Sequence, residues 1–222
     1  MKYDVILMDI DNTLLDFDAG SAAGLTRLLS QFGLQLTQLL LQRFLAINSA
    51  LWEQYEAGEI EKTYIYPTRF ERFLGELGIQ TDWLAANEIY GNGLRQSCIL
   101  VPGARELMER LYGKCRLYAV TNGVTRTQRL RLGRSGLDRY FDRIFISEEM
   151  GCRKPETLFF EKVFSEIGPV DRSRCILLGD SLTSDMQGGR NAGIATCFLG
   201  APGDPRCDYC IDRLDQFWAV IA

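Results

Sequence analysis

The stretch that decides the fold is Val5-Ile-Leu-Met-Asp9-Ile-Asp11-Asn-Thr13-Leu-Leu15. Its continuous apolar run predicts a strand buried on both faces. Asp9 and Asp11 follow at the C-terminal end, which is the edge where open α/β sheets bind ligands. Side chains two apart in extended backbone share a face, so these carboxylates repel unless a cation or a shared proton intervenes. The stretch therefore predicts a metal site or a perturbed carboxyl group, although Asp11-Asn-Thr13 alone is equally typical of a turn.

Composition excludes several classes of function. The 222 residues carry 25 basic and 29 acidic side chains, a net charge of −4. An acidic chain is poorly suited to nucleic acid, whose phosphates are neutralised by Lys and Arg. There is no histidine, which excludes Ser-His-Asp and Cys-His triads and zinc sites built on imidazole. Any catalysis must therefore use carboxylates, lysine, hydroxyls and backbone amides.

The cysteines and the N-terminus bear on location. Met1 leads directly into the first strand and no apolar stretch is long enough to span a membrane, so we predict neither a secretory signal nor a membrane anchor. The seven cysteines are odd in number and mostly isolated, which favours a reducing cytoplasm. Cys207-Asp-Tyr-Cys210 has no second cysteine pair for zinc, and its place near the C-terminus argues against a redox motif.

The order of periodic segments predicts the architecture. Apolar residues recur at helical spacing across 17–96, with helix ends expected near Gly33, Gly58, Gly78 and Gly91-Asn-Gly93. Strands then alternate with helices. The predicted strands are 116–120, 143–146, 174–178 and 195–198, and the predicted helices are 103–112, 125–134, 156–167 and 185–192. This alternation predicts an α/β fold, a Rossmann-like parallel sheet with helices on both faces, formed by 1–16 and 97–222. Residues 17–96 form an all-helical insertion.

Polar residues follow three later strands, on the edge that carries Asp9 and Asp11. They are Thr121-Asn122-Gly123, Lys154-Pro155 and Gly179-Asp180-Ser-Leu-Thr-Ser-Asp185. Several acids without histidine suit a hard, oxygen-seeking cation such as Mg²⁺. A buried lysine beside them would offset their charge and leave room for an anion. Each segment alone is typical of a turn or a solvated loop, but their combination in this order is specific.

These four segments resemble, in order, the four motifs of the haloacid dehalogenase superfamily of phosphotransferases. The resemblance covers the whole chain, and the insertion is similar to a C1-type cap. True dehalogenases of the superfamily lack the second aspartate of the first motif, so Asp11 favours phosphoryl transfer. Phosphonate hydrolysis would require a Schiff-base lysine in the cap, and nothing in the sequence marks Lys62, the only cap lysine, for that role.

The resemblance implies an aspartyl-phosphate mechanism. Asp9 is the expected nucleophile, and Asp11 is expected to protonate the leaving alkoxide and then to activate water. Thr13 is expected to support the loop. The implied Mg²⁺ ligands are Asp9, the backbone carbonyl of Asp11, Asp180 and, through water, Asp185. The implied phosphate-binding residues are Thr121, Asn122 and Lys154.

Substrate choice is expected to lie in the cap, where 48–60 and 69–73 resemble bacterial pyrimidine 5′-nucleotidases of this superfamily. The candidate substrate residues are Asn48, Trp52, Tyr55 and Arg69. Aromatic residues at this spacing are more often cap core, and Arg69 has the alternative of a salt bridge to Glu71 or Glu53. The basic run Arg126, Arg129, Arg131 and Arg134 predicts a solvated helix face.

We therefore predict a cytoplasmic Mg²⁺-dependent phosphatase that hydrolyses a small phosphate ester, with nucleoside 5′-monophosphates as the leading class. The alternatives are a sugar-phosphate or phosphoglycolate-type phosphatase, a phosphomutase, or a non-catalytic binding protein on the same fold. Neither nucleic acid nor membrane is an expected partner. The expected oligomeric state is a monomer or a weak homodimer.

Overall fold

A computed structural model describes residues 1–201 and 203–222. The chain forms two compact units. One consists of Met1–Asp16 and Cys98–Ala222, and the other, the helical unit, consists of Phe17–Ser97. Among the described residues, no helix combines the length and apolarity needed to cross a bilayer.

The first unit is built on a parallel sheet of six strands. In chain order these are β1 Val5–Met8, β2 Arg116–Thr121, β3 Arg143–Ile146, β4 Cys175–Gly179, β5 Ala195–Leu199 and β6 Tyr209–Ile211. Their order across the sheet is β3-β2-β1-β4-β5-β6, and every neighbouring pair is parallel. The predicted α/β class is confirmed, and β6 is a short strand that the sequence pattern did not indicate.

Strand β1 lies at the centre because both of its faces are apolar. Ile6 and Met8 join one buried apolar cluster, whereas Val5 and Leu7 join the other. All four side chains are buried. Burial on both faces is what a continuous apolar run requires in a parallel sheet. The residues that leave the C-terminal end of β1 therefore emerge in the middle of one sheet edge.

Ten α-helices accompany these strands in the described ranges. The helical unit contains α1 Phe17–Ser30, α2 Gln38–Glu56, α3 Lys62–Glu76 and α4 Trp83–Gln96. The first unit contains α5 Ala104–Leu111, α6 Thr125–Ser135, α7 Ser147–Met150, α8 Thr157–Ile167, α9 Gln187–Ala192 and α10 Phe217–Ile221. Helix α5 packs in the first apolar cluster and α8 in the second, so helices cover both faces of the sheet.

The predicted helix end at Gly91-Asn-Gly93 is wrong, because α4 continues to Gln96. These glycines serve packing instead. A β-carbon on Gly93 would lie 2.6 Å from the Cα of Gly24 in α1, and one on Gly24 would lie 2.7 Å from the Tyr90 ring. Small residues at both positions let the two helices approach closely, which outweighs the low helix propensity of glycine.

Two further details differ from expectation in the second half of the chain. A π-helical turn, Leu182–Met186, precedes α9, so the predicted helix over 185–192 begins as a wider turn that contains Asp185. The sulfurs of Cys207 and Cys210 form a disulfide, whereas the other cysteines are free. The expectation of a reducing compartment does not predict this pairing.

Candidate active site

Three carboxylates converge at the C-terminal edge of the sheet. Asp9 follows β1, Asp180 follows β4, and Asp185 lies on the π-helical turn. Each offers one carboxylate oxygen, and these oxygens all lie within 4.8 Å of one another. Asp9 is 7% exposed and Asp185 is fully buried. The strand-end positions that the sequence predicted for these acids are thus brought together.

A single lysine lies among these acids. Lys154 Nζ donates hydrogen bonds to Asp9 Oδ1 at 2.6 Å, to Asp185 Oδ1 at 2.6 Å and to the Val120 carbonyl at 2.9 Å. Its side chain is 1% exposed. Burial disfavours its charge, but Asp185 and Asp9 together raise the pKa of Lys154 above its usual value. Lys154 is therefore a buried cation at the centre of the cluster.

One lysine does not balance three carboxylates. Burial raises the pKa of Asp9 well above its ordinary value, against the opposing charge of Lys154. Burial, with the neighbouring charge of Asp185, also raises the pKa of Asp180 to about 8. Three carboxylates beside a single ammonium leave the cluster short of positive charge. Three convergent carboxylate oxygens are a suitable donor set for a hard divalent cation, so Asp9, Asp180 and Asp185 fit a metal site.

Metal-free protein should lose stability as the pH rises, because Asp180 has a higher pKa when folded than when unfolded. Between pH 4 and about 8 the folded state holds a proton that the unfolded state releases, so stability falls by up to ~1.4 kcal/mol per pH unit. Urea unfolding in chelator at pH 6 and pH 8 measures the effect.

Asp180→Asn is the matched control, because an amide oxygen can still accept the 3.4 Å hydrogen bond from Thr13 Oγ1. This variant should show a shallower pH dependence, with the remainder due to Asp9. A wild-type protein that becomes more stable from pH 6 to pH 8 would contradict the assigned direction of the shift.

The Asn122 side chain orients Lys154 by two hydrogen bonds to the Lys154 backbone. Its Nδ2 donates to the Lys154 carbonyl at 2.9 Å, and its Oδ1 accepts from the Lys154 amide at 3.0 Å. The following peptide bond, Lys154–Pro155, is cis. Direct phosphate binding by Asn122 stays a prediction. The geometry gives this side chain the role of holding the lysine loop.

The Asp11 side chain points to a different set of partners. Its Oδ2 accepts from Gln128 Nε2 at 2.9 Å, and its Oδ1 forms an ion pair with Arg131 Nη1. Both partners lie on α6 and are fully buried. The predicted solvated face is therefore wrong for Arg131, while Arg126, Arg129 and Arg134 are exposed as expected.

Gln128 was not among the predicted residues, and it also contacts Thr121. Gln128 Nε2 donates to Thr121 Oγ1 at 2.8 Å, and the Gly123 amide donates to the same oxygen at 3.0 Å. A β-carbon on Gly123 would lie 2.5 Å from Gln128 Nε2, so the glycine of this segment makes room for the glutamine.

A second polar cluster lies within the helical unit. Arg69 is 7% exposed, and its guanidinium donates to Asn48 Oδ1 at 2.9 Å and to Asn87 Oδ1 at 2.6 Å. It also lies 4.7 Å from the centre of the Tyr90 ring. Within the described ranges it pairs with no carboxylate, so the salt bridge to Glu71 or Glu53 does not form.

The two aromatic candidates in the helical unit, Trp52 and Tyr55, have different environments. Tyr55 is 6% exposed and belongs to the apolar core of the helical unit. Trp52 packs edge-on against it, with ring centres 5.7 Å apart, and the Lys62 ammonium lies 5.6 Å from the Trp52 ring centre. This packing favours a structural role for Tyr55 and leaves part of Trp52 exposed.

The fold and the acid–lysine cluster define an α/β protein whose site is formed at the carboxyl ends of parallel strands. Residues 3–193 match the haloacid dehalogenase-like hydrolase family. The chain therefore belongs to the haloacid dehalogenase-like hydrolases.

Relatives within this family are similar over most of the chain. Pyrimidine 5′-nucleotidase PynA of Streptococcus pneumoniae is 40% identical, covering 88% of this chain and 83% of its own. Pyrimidine 5′-nucleotidase YjjG of Escherichia coli is 38% identical, covering 90% and 88%. The solved structure of the HAD-hydrolase YfnB of Bacillus subtilis, bound to magnesium, is 34% identical with a TM-score of 0.92, covering 100% and 99%.

Proposed function

We propose that this protein is a Mg²⁺-dependent phosphomonoester phosphatase that acts through an aspartyl-phosphate. The observation that carries the proposal is the pairing of Lys154 with Asp9, beside Asp180 and Asp185. The chain contains no histidine that could serve as the nucleophile instead. Lys154 occupies only Oδ1 of Asp9, so among the described residues Oδ2 accepts no hydrogen bond. That oxygen is the nucleophile we assign, and binding of Mg²⁺ by Asp9, the Asp11 carbonyl, Asp180 and Asp185 would offset its repulsion from a phosphate dianion.

The two half-reactions follow from these side chains. Asp9 Oδ2 forms a bond to phosphorus while the bond from phosphorus to the ester oxygen breaks, and the Asp11 carboxyl gives its proton to the departing alkoxide. In the second step Asp11 takes a proton from water as the water oxygen attacks phosphorus. The bond to Asp9 then breaks and its carboxylate is restored. Thr121 and Lys154 bind phosphoryl oxygens.

A phosphate-release screen tests this function. Nucleoside monophosphates, sugar phosphates, phosphoglycolate and p-nitrophenyl phosphate are each assayed with Mg²⁺ and with chelator. Release that requires Mg²⁺ supports the phosphatase. Isomerisation without release of phosphate would indicate a phosphomutase, and a folded protein that releases phosphate from none of them would favour a binding protein.

For the substrate we propose nucleoside 5′-monophosphates with a pyrimidine base, the class named in two of its relatives. The helical unit supports this choice. Because Arg69 occupies the Oδ1 atoms of Asn48 and Asn87, both amides have a fixed orientation and keep their Nδ2 donors for other groups. Such donors suit the carbonyl oxygens of a pyrimidine ring. Trp52 is the candidate stacking surface.

Asn87→Asp should reduce selectivity for uridine 5′-monophosphate. The carboxylate still accepts from Arg69, but the Nδ2 donor is lost, so kcat/KM should fall about ten-fold, on the scale of one hydrogen bond. The kcat/KM for p-nitrophenyl phosphate, which has no base, is the internal control and should not change. Equal losses on the two substrates would contradict a role in base recognition.

A further inference from the structure

We propose that Gln128 and Arg131 are positioning residues that hold the Asp11 carboxyl group for proton transfer and link it to Thr121. The proposal rests on the phosphatase function proposed above, which gives Asp11 its acid–base role. It assigns these two α6 side chains to a step that needs a proton, and it predicts that their importance depends on the leaving group of the substrate.

The geometry divides the Asp11 carboxylate between two donors from one helix. Gln128 and Arg131 lie three apart on α6 and so share a helix face. One donates to Oδ2 and the other to Oδ1. Arg131 is held in turn by the Asp16 carbonyl at 3.3 Å. With both oxygens engaged, the Asp11 carboxyl group has one orientation rather than several. Each oxygen keeps a second lone pair that neither donor uses, and this lone pair holds the proton when Asp11 acts as the acid.

Gln128 also fixes the direction of the Thr121 proton. Thr121 Oγ1 accepts two hydrogen bonds, from Gln128 Nε2 at 2.8 Å and from the Gly123 amide at 3.0 Å. A hydroxyl oxygen has two acceptor positions, so both are filled. The Thr121 proton must then be donated elsewhere, which is the state needed to bind a phosphoryl oxygen. One glutamine thus orients both the proton carrier and a phosphate ligand.

The arrangement is costly for folding alone. Among the described residues, Gln128 Oε1 is buried with no hydrogen-bond partner, and leaving such an oxygen unpaired is unfavourable for folding. The amide cannot turn over to satisfy it, because Oε1 would then face the Asp11 carboxylate. Arg131 is a fully buried cation, and a buried ion pair is often no more stabilising than apolar residues of similar size. Function accounts for both features better than stability does.

The expected consequence is a dependence on the leaving group. An alkoxide leaves only with a proton from Asp11, whereas p-nitrophenolate leaves without one. The kcat/KM reports the steps up to formation of the aspartyl-phosphate. A misplaced Asp11 should therefore reduce kcat/KM for a nucleoside 5′-monophosphate much more than for p-nitrophenyl phosphate.

The experiment compares Gln128→Leu and Arg131→Met with the wild type in saturating Mg²⁺. With uridine 5′-monophosphate, each should lower kcat/KM by about 10²-fold, the lower end of what general acid–base catalysis contributes. The loss with p-nitrophenyl phosphate should be at least about ten-fold smaller. Arg129→Met is the matched control, because Arg129 lies on the same helix but pairs with Glu149 at the surface, and it should change neither value.

A second measurement separates positioning from general destabilisation. In an Asp11→Asn background, adding Gln128→Leu or Arg131→Met should cause little further loss with uridine 5′-monophosphate, since residues that act as a unit are non-additive. Equal losses on the two substrates, or additive losses in the double variants, would overturn the proposal. A folded wild type that hydrolyses neither substrate would instead reject the phosphatase function, and the positioning role with it.

Discussion

Asp9→Asn should abolish phosphate release, with a loss of roughly 10⁴-fold or more, on the scale of nucleophile removal in other enzymes. An amide oxygen does not attack phosphorus to give a stable acyl phosphate, so the first half-reaction stops. Acid-quenched protein should then contain no covalent phosphate, whereas the wild type should be labelled during turnover. The measurement is phosphate release together with trapping of the phosphorylated protein.

The same substitution should not harm folding. Lys154 keeps Asp185 and the Val120 carbonyl as acceptors, and an asparagine oxygen can replace Asp9 Oδ1. Because one of three clustered carboxylates has been removed, the free energy of unfolding in chelator should stay the same or rise. Asp212→Asn is the control, since Asp212 is exposed and accepts only an amide proton from Gln216 at 2.7 Å. Substantial remaining activity in Asp9→Asn would remove Asp9 as the nucleophile.

Strand-end residues could be predicted from the sequence because the topology of a parallel sheet fixes where they meet. Once β1 and β4 are identified as parallel strands, their carboxyl ends lie at one edge of the sheet. Asp9 and Asp180 are close together there because β1 pairs directly with β4, a strand order that the structure provides. The same rule brought Thr121 to this edge. These positions depend only on strand identity, which long apolar runs specify well.

The prediction of a solvated face is wrong for Arg131, because a basic run does not by itself indicate which side of its helix faces the core. In α6 the buried positions are Thr127, Gln128, Arg131, Leu132 and Ser135. Leu132 is the single apolar residue among them, and Gln128 lies one turn before it, four residues away. That spacing was a signal for Gln128, whereas Arg131 is one residue from Leu132 and had no such signal. The charge pattern alone predicts that all four arginines are exposed. The burial of the Arg131 guanidinium is explained by the position of Asp11, with which it forms an ion pair.

Asn87 was missed for a different reason. It lies far along the chain from Asn48 and Arg69, and nothing local distinguishes it from any other helix asparagine. Its role depends on how α2, α3 and α4 pack together. The misplaced end of α4 has the same origin, because the contact between Gly93 and Gly24 is tertiary. Local propensity favours a helix end at such glycines, and close packing of two helices overrides it.

Lys154→Met should produce the largest loss of stability, because it leaves buried carboxylates without their cation. Methionine keeps most of the buried stem but provides no charge and no donor for Asp9, Asp185 or the Val120 carbonyl. Breaking a buried ion pair in this way costs about 3–5 kcal/mol. Urea unfolding in chelator at pH 8 should show a loss of this size, and phosphate release should also fall because a ligand of the phosphoryl group is gone.

Two dependences identify the cause of that loss. It should shrink as the pH falls, because protonated carboxylates no longer need a cation. It should also shrink when Mg²⁺ is added, since a divalent cation on Asp9, Asp180 and Asp185 replaces the missing charge, so Mg²⁺ should stabilise the variant more than the wild type. Lys162→Met is the control, because Lys162 donates to the Met150 carbonyl at 2.6 Å and lies outside the cluster. A loss independent of both pH and Mg²⁺ would mean that Lys154 stabilises the fold by packing rather than by charge.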